Sequence, residues 1–267
     1  MEDNNNETSR INEETVLSPD KSVVRKGNVV LRPSGPWTPG IHSLLRHLHK
    51  TGFTSAPSIV GSGLDTEGRE MVSYIEGESV HPGPWSDEAI SEVGSLLRRL
   101  HDHSATFEPP AHAVWKPWFL RELGGTSVVY SHGDVAPWNT VTRKGMPMAL
   151  IDWECAGPVD PMAELARVCW LFPQLHDDDV ADRVGLPSLE MRARQLRLLV
   201  EAYGVPPAQR QALFELILEV VVRETAEQAI EIQVIPDTHG SLWGIAWRAR
   251  AAAWILKHRA VLQKALG

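Results

Sequence analysis

Cysteine is almost missing from this chain: Cys155 and Cys169 are the only two in 267 residues. Two cysteines build no disulfide framework, and without a C-x-x-C pair they offer no zinc site; both read as reduced, buried small residues. Long hydrophobic runs are missing as well. The most apolar helical stretch, "LFELILEVVV" at 213–222, is short and interrupted by Glu215 and Glu219, which excludes a membrane-spanning helix there. Nor is there a basic excess. The formal charge is −8, and a nucleic-acid partner would require a basic face for its phosphates. The first fifteen residues, "MEDNNNETSRINEET", have neither the basic start nor the apolar centre of a secretion signal. Residues 1–15 therefore read as a disordered acidic tail, and the protein as cytoplasmic.

What is present suffices for a sizeable core, since 43% of the residues are hydrophobic. "SVVRKGNVVLRP" reads as two β-branched strands about a Lys-Gly-Asn turn. Thr38 is placed to cap a helix with Pro39 in its first position, and Ile41, Leu44, Leu45 and Leu48 form one apolar stripe before Gly52 ends it. "SIVGSG" and "REMVSYIEG" predict further strands, the second running to Gly77. These elements make a small β-rich lobe over residues 16–76. The Gly- and Pro-rich stretch at 77–85 follows as a linker. Beyond it, over 86–267, the period turns helical: Ser86 caps a helix carrying Ile90, Val93, Leu97 and Leu100, and helical spacing returns at 188–202, 207–233 and 241–265. The fold class is α+β, with a small β-rich first lobe and a larger, mostly helical second one.

Between those helices the period changes in "YSHGDVAPWNTVTRKGMPMALIDWE", residues 130–154. A strand ends at His-Gly-Asp, a short loop leads to Asn139, and a hairpin about Lys144-Gly145 returns the chain so that Asp152 lands beside Asn139. Asp134 supplies a carboxylate able to orient a hydroxyl or take its proton. Asn139 and Asp152 supply two hard oxygen donors, enough for a magnesium ion that otherwise keeps water or phosphate. Phosphoryl transfer needs this set.

At these residues "HGDVAPWN" and "LIDWECAGPVDPMAELA" resemble the two signature motifs of the aminoglycoside phosphotransferase and choline kinase family, over roughly residues 16–267. A narrower resemblance, carried by "VVLRPSGPWTPGIHSLLRHLHKTGF", is to its trifolitoxin immunity protein branch. The resemblance implies a bilobal protein-kinase-like fold, ATP or GTP and Mg2+ as cofactors, Asp134 as the catalytic base or hydroxyl-orienting acid, and Asn139 and Asp152 as metal ligands. Glu154 stands where many members carry a second metal-binding acid. Asp160 would tie the Asp134 loop to the next helix, as cap or anchor, and His101 and His132 read as packed structural residues. The implied reaction moves the terminal phosphate to a hydroxyl of a small cationic acceptor, such as an aminoglycoside-like antibiotic. The alternative is a kinase-like immunity protein that sequesters a peptide toxin or antibiotic with little catalysis.

The first lobe departs from the family pattern. "LSPDKSVVRKGNVVLRP" has no glycine nest for phosphates at Ser18-Pro19-Asp20, and Gly27 sits in a later turn. Arg32 is the candidate phosphate-contacting base, and residues 38–51 hold no carboxylate to pair with it, His42 standing where a glutamate is expected. A purine base would meet the backbone around Ser73 to Ile75. Residues 171–240 carry twelve acids against six arginines, a field that could attract a cationic acceptor. Asp177, Asp178 and Asp179 read as a solvated loop, and Trp243, Trp247 and Trp254 as core or as an aromatic wall.

Overall fold

Short β-branched runs and long 3.6-period runs sort into two parts of the molecule. The structure is a computed structural model, and it describes residues 14–125, 127–235, 238 and 242–267. Strands β1 (Glu14–Ser18), β2 (Val23–Lys26) and β3 (Val29–Arg32) are followed by helix α1 (Thr38–Thr51) and then β4 (Ile59–Leu64) and β5 (Glu70–Ser73). They form one antiparallel sheet in the order β1-β2-β3-β5-β4. The expected hairpin is β2–β3, and the α1 stripe of Ile41, Leu44, Leu45 and Leu48 is buried.

Three boundaries differ from expectation. Glu14 and Thr15 pair with Lys26 and Arg25 in β1, so they belong to the sheet rather than to the tail; the rest of the expected tail, residues 1–13, lies outside the described residues. Trp37, not Thr38, is the N-cap of α1, and the Thr38 hydroxyl instead reaches back to accept the Gly35 N–H at 2.9 Å. Strand β5 ends at Ser73 rather than Gly77, because its partner there, Val29, is the first residue of β3 and the ladder runs out. In the expected linker, Glu78 exchanges two backbone hydrogen bonds with Thr142 (2.9 and 2.8 Å), so that segment is tied down by the second part of the molecule.

Helix α2 (Asp87–Ser104) opens that part, its Ser86 cap accepting the Ala89 N–H at 3.1 Å. Strands β6 (Val129–Ser131), β7 (Thr140–Arg143), β8 (Met146–Leu150) and β9 (Gly157–Val159) make two small ladders, β6 with β9 and β7 with β8, the latter turning at Lys144-Gly145 as expected. Among the described residues six helices follow: α3 (Pro161–Leu171), α4 (Asp178–Val184), α5 (Leu189–Tyr203), α6 (Pro207–Glu231), α7 (Trp243–Lys257) and α8 (Arg259–Leu266). The continuous helix expected at 241–265 is interrupted at His258, whose backbone leaves helical geometry; Ser241 lies outside the described residues. The stretch expected as a solvated loop, Asp177 to Asp179, is the cap and first turn of α4.

The core runs through α3, in which every residue from Ala163 to Leu171 is buried. Such a helix has no solvent face, so any charge on it must find an internal partner. Around it α2 packs closely against α5, with Gly94 at the crossing. A Cβ at Gly94 would stand 2.3 Å from the Leu199 carbonyl oxygen, a backbone atom that cannot yield alone. Alanine gains about 1 kcal/mol of helix propensity over glycine, but here the overpacking should dominate. Gly94→Ala is expected to lower stability by about 1–3 kcal/mol, read as a lower urea midpoint at constant slope; an unchanged midpoint would show that the crossing can separate freely.

Candidate active site

The His-Gly-Asp turn is shaped by a close approach. Gly133 has φ +77°, and a Cβ there would stand 2.3 Å from the Cys155 carbonyl oxygen, so the turn requires glycine on both counts. His132 is fully buried. Its Nδ1 accepts the Asp134 N–H (3.1 Å) and its Nε2 donates to the Ile151 carbonyl (2.8 Å), and burial lowers its pKa, so a neutral ring links the turn to the β8 exit. At the end of the short 3-10 turn Pro137–Asn139, the Asn139 Nδ2 donates to the Asp134 carbonyl (2.9 Å) and to its Oδ2 (2.8 Å). That commits the amide nitrogen and leaves Oδ1 as the metal-capable atom. The Ile151 N–H donates to the Asn139 carbonyl at 2.9 Å, setting Asp152 beside it. Asp152 itself sits at φ +63°, a left-handed conformation that aspartate tolerates better than most residues.

Asn139 and Asp152 line a cavity of about 330 Å³ between the sheet and the second part of the molecule, together with Lys21, Arg32, Ser73, Ile75 and Trp138. All of the nucleotide-side candidates thus share one space with two of the three metal-side candidates, Asn139 and Asp152. At the end of β5, the Ser73 and Tyr74 N–H groups already donate to the Ser58 and Asn28 carbonyls. Arg32 Nη1 pairs with Asp152 Oδ1 at 3.0 Å and Lys21 Nζ with Asp152 Oδ2 at 2.8 Å. Burial alone would raise the Asp152 pKa, but the Lys21 and Arg32 charges outweigh it and hold the carboxylate below its ordinary value.

The carboxylate absent from α1 comes from a strand. Glu70 lies directly across the β3–β5 ladder from Arg32, accepts from its Nε, and takes His42 Nε2 at 2.9 Å on its other oxygen. Burial opposes its ionisation, but His42 and Arg32 prevail and depress its pKa. His42 therefore completes the pair through Glu70 rather than replacing it.

Two charges of α3 hold the His-Gly-Asp turn from below. Glu164 Oε1 accepts the Gly133 N–H at 2.6 Å, and its Oε2 meets His101 Nε2 at 2.7 Å, whose Nδ1 meets the Tyr203 hydroxyl at 2.7 Å. Arg167 Nη1 lies 2.8 Å from Asp134 Oδ1, an ion pair without hydrogen-bond alignment. The same guanidinium donates to both oxygens of Glu224 (2.7 and 3.2 Å), and Glu224 also takes Arg248. Asp160 caps α3, accepting from Met162 and Ala163, and takes the Gly125 N–H at 2.8 Å. It is an anchor as expected, while the direct tie to the Asp134 turn is made by Glu164.

Comparison with known proteins now bears on this geometry. Residues 113–194 match the family model described as "Phosphotransferase enzyme family". The trifolitoxin immunity protein of Rhizobium leguminosarum bv. trifolii is 52% identical over 247 residues, covering 92% of this chain and 95% of that one. The chain belongs to the aminoglycoside phosphotransferase family, in its trifolitoxin immunity branch. Among solved structures, the amicoumacin kinase hAmiN in complex with AMP-PNP, Ca2+ and Ami superposes with a TM-score of 0.67 at 12% identity, over 93% of this chain and 92% of that one. A choline/ethanolamine kinase family protein from Mesorhizobium loti does so with a TM-score of 0.56 at 17% identity, over 91% and 89%. The family's protein-kinase-like fold is thus that of this chain.

Not every residue expected from the family pattern converges. Glu154 pairs with Lys116 at 2.6 Å and does not line the cavity that Asn139 and Asp152 share. The Asp177–Asp179 carboxylates are engaged by Arg250, by Arg183 and by the Trp254 indole N–H. Trp254 is core, Trp247 packs on Trp170 (5.3 Å between rings), and Trp243 is half exposed. Both cysteines are buried and free, and burial pushes the Cys155 thiol up to about 12. Lys21, Glu70, Glu164, Arg167 and Glu224 were not singled out from the sequence. The signal available for Glu164 and Arg167 was their position inside "MAELARVCWLF", an otherwise apolar helix.

Burial opposes ionisation of Glu164 too, but His101 holds its pKa below the ordinary 4.5. A carboxylate depressed in the folded state contributes stability in full above its unfolded value and loses it as pH falls through the folded one. Stability should therefore fall as pH drops below about 4.5, and Glu164→Gln should flatten that fall while losing stability at neutral pH. Urea unfolding of both proteins between pH 3 and 7, on the order of the range over which carboxylates titrate, checks this; parallel curves would show that Glu164 is not the titrating group.

Proposed function

We propose that the protein is a magnesium-dependent kinase that moves the terminal phosphate of ATP or GTP to a hydroxyl of a small acceptor. The observation that carries the reading is the convergence of Asp152 and Asn139 with Lys21 and Arg32 around one cavity, with Asp134 accepting a hydrogen bond from Asn139. The donor set suits magnesium: one carboxylate and one amide oxygen, both hard, in a space open to phosphate. When bound, the ion would neutralise phosphate charge; Asn139 Oδ1 and Asp152 would hold it. Lys21 and Arg32, now on Asp152, are the cations placed to meet phosphate oxygens, and the backbone of Ser73 to Ile75 faces the place of the base. The acceptor oxygen bonds to the terminal phosphorus as the bond from that phosphorus to its bridging oxygen breaks. The hydroxyl proton passes to Asp134, and the nucleoside diphosphate leaves. Arg167, 2.8 Å from Asp134 Oδ1, holds that carboxylate in place for the task.

A second reading is supported by the 52% identical relative, which bears the name of an immunity protein: the fold binds a toxin or peptide antibiotic and withholds it. One variant separates the two. Asp134→Asn should bind nucleotide with magnesium as the parent does by calorimetry, yet turn over about 10²–10⁴ times more slowly. Normal turnover in that variant removes Asp134 from the mechanism. Cells kept fully protected against the toxin by Asp134→Asn would favour sequestration. Asp152→Asn should abolish the magnesium dependence of nucleotide binding in the same titrations.

A further inference from the structure

Trp138 is the shared wall of two cavities, the one holding Asn139 and Asp152 and a second of about 440 Å³ on its other side. The second is walled by His81, His176, Trp243 and Trp247, with Arg183 and Arg248 at its surface. We propose that this second cavity binds the hydroxyl-bearing acceptor of the phosphotransfer reading, and that it selects an aromatic body that is uncharged or anionic and rejects a cation. The proposal rests on the phosphotransfer reading for its chemistry, but not for the charge selection.

Three indole rings that could have attracted a cation already face one of the protein's own. The Arg248 guanidinium carbon lies 5.0 Å from the Trp247 ring centre, that of Arg250 lies 5.7 Å from Trp243, and that of Arg167 lies 6.0 Å from Trp138. A guanidinium within about 6 Å of a ring uses its quadrupole, so a second cation brought to such a ring meets like charge. Among the described residues no carboxylate lines the cavity. The acids that answer its arginines stand elsewhere: Glu224 is buried beneath Arg248, and Asp179 pairs with Arg183 outside. The two histidines are neutral, since burial lowers both and takes His176 down to about 3. His81 packs edge-on to Trp138 (5.4 Å) and His176 lies tilted against Trp247 (4.9 Å), so these walls are flat aromatic surfaces, with the Arg183 and Arg248 side chains beside them. Within the acidic stretch 171–240, Asp177 and Asp179 are bound to Arg250 and Asp178 to the Trp254 indole, and none of the three lines this cavity.

A charge series on one aromatic hydroxyl body tests this: tyramine (cationic), N-acetyltyrosinamide (neutral) and N-acetyltyrosine (anionic), titrated by calorimetry into the full chain without nucleotide, alongside a polycationic aminoglycoside. The expected result is N-acetyltyrosine bound at least about fivefold more tightly than tyramine, with the amide between them, a fivefold ratio being about 1 kcal/mol. Arg183→Glu, at an exposed site, should shrink that ratio, and Trp243→Ala, at a half-exposed one, should weaken all three phenols. Tyramine or the aminoglycoside binding as tightly as N-acetyltyrosine would overturn the proposal. So would a ratio untouched by Arg183→Glu, or no heat with any phenol at millimolar concentration. ATP and GTP titrations run in parallel report on phosphotransfer separately, so an intact charge preference beside absent nucleotide binding would uphold the charge selection and remove the kinase reading.

Discussion

One buried helix fixes the turn that carries Asp134. Glu164 and Arg167 stand one helical turn apart on α3, where no side of the helix reaches water, and an unpaired charge in such a place costs several kcal/mol. The partners that relieve that cost belong to the site or its support: the Gly133 N–H, the Val135 carbonyl, His101, Asp134 and Glu224. The penalty for burying the charges thereby becomes a constraint on loop geometry. The turn cannot relax without stranding one of them, so the position of the Asp134 carboxylate inherits the rigidity of the core rather than the mobility of a loop.

The first part of the molecule answers a different constraint. Where family members use glycine amides to cradle phosphate, the β1–β2 connection is a turn closed by Ser22 N–H on the Pro19 carbonyl (3.1 Å) that presents the Lys21 side chain. In the phosphotransfer reading, phosphate would meet a side-chain point charge there instead of fixed backbone dipoles. Arg32, by contrast, is clamped between Glu70 and Asp152 and can contribute little flexibility. In the phosphotransfer reading these two cations divide the labour, one setting position and the other following the ligand.

How much of this could be read from residues alone depends on how far apart the partners lie in the chain. The β2–β3 hairpin, the α1 stripe, the Ser86 cap and the H-x-D-x-x-x-x-N spacing with Asp152 downstream are local patterns, and they stand in the structure where they were expected. The Arg32–Glu70 pair was not legible, because β3 and β5 are joined through α1 and β4 and nothing local sets their register. Glu164 and Arg167 were hidden for the opposite reason: charges at helical spacing ordinarily mark a solvent face, and only the packing of α3 shows that there is none. Asp177 to Asp179, expected as a solvated loop, form the cap and first turn of α4 instead, because acids favour helix N-termini as much as loops.

The contact between Lys21 and Asp152 joins the sheet to the second part of the molecule across the cavity. The lysine is more than half exposed, and an exposed ion pair is worth about 0–1 kcal/mol, which is comparable to the thermal energy. Breaking it costs little, so it adds little to the cohesion of the two parts. Arg32, backed by Glu70 and less exposed, is held to Asp152 more firmly. In the phosphotransfer reading, a polyanion would therefore draw Lys21 away from Asp152 more readily than Arg32.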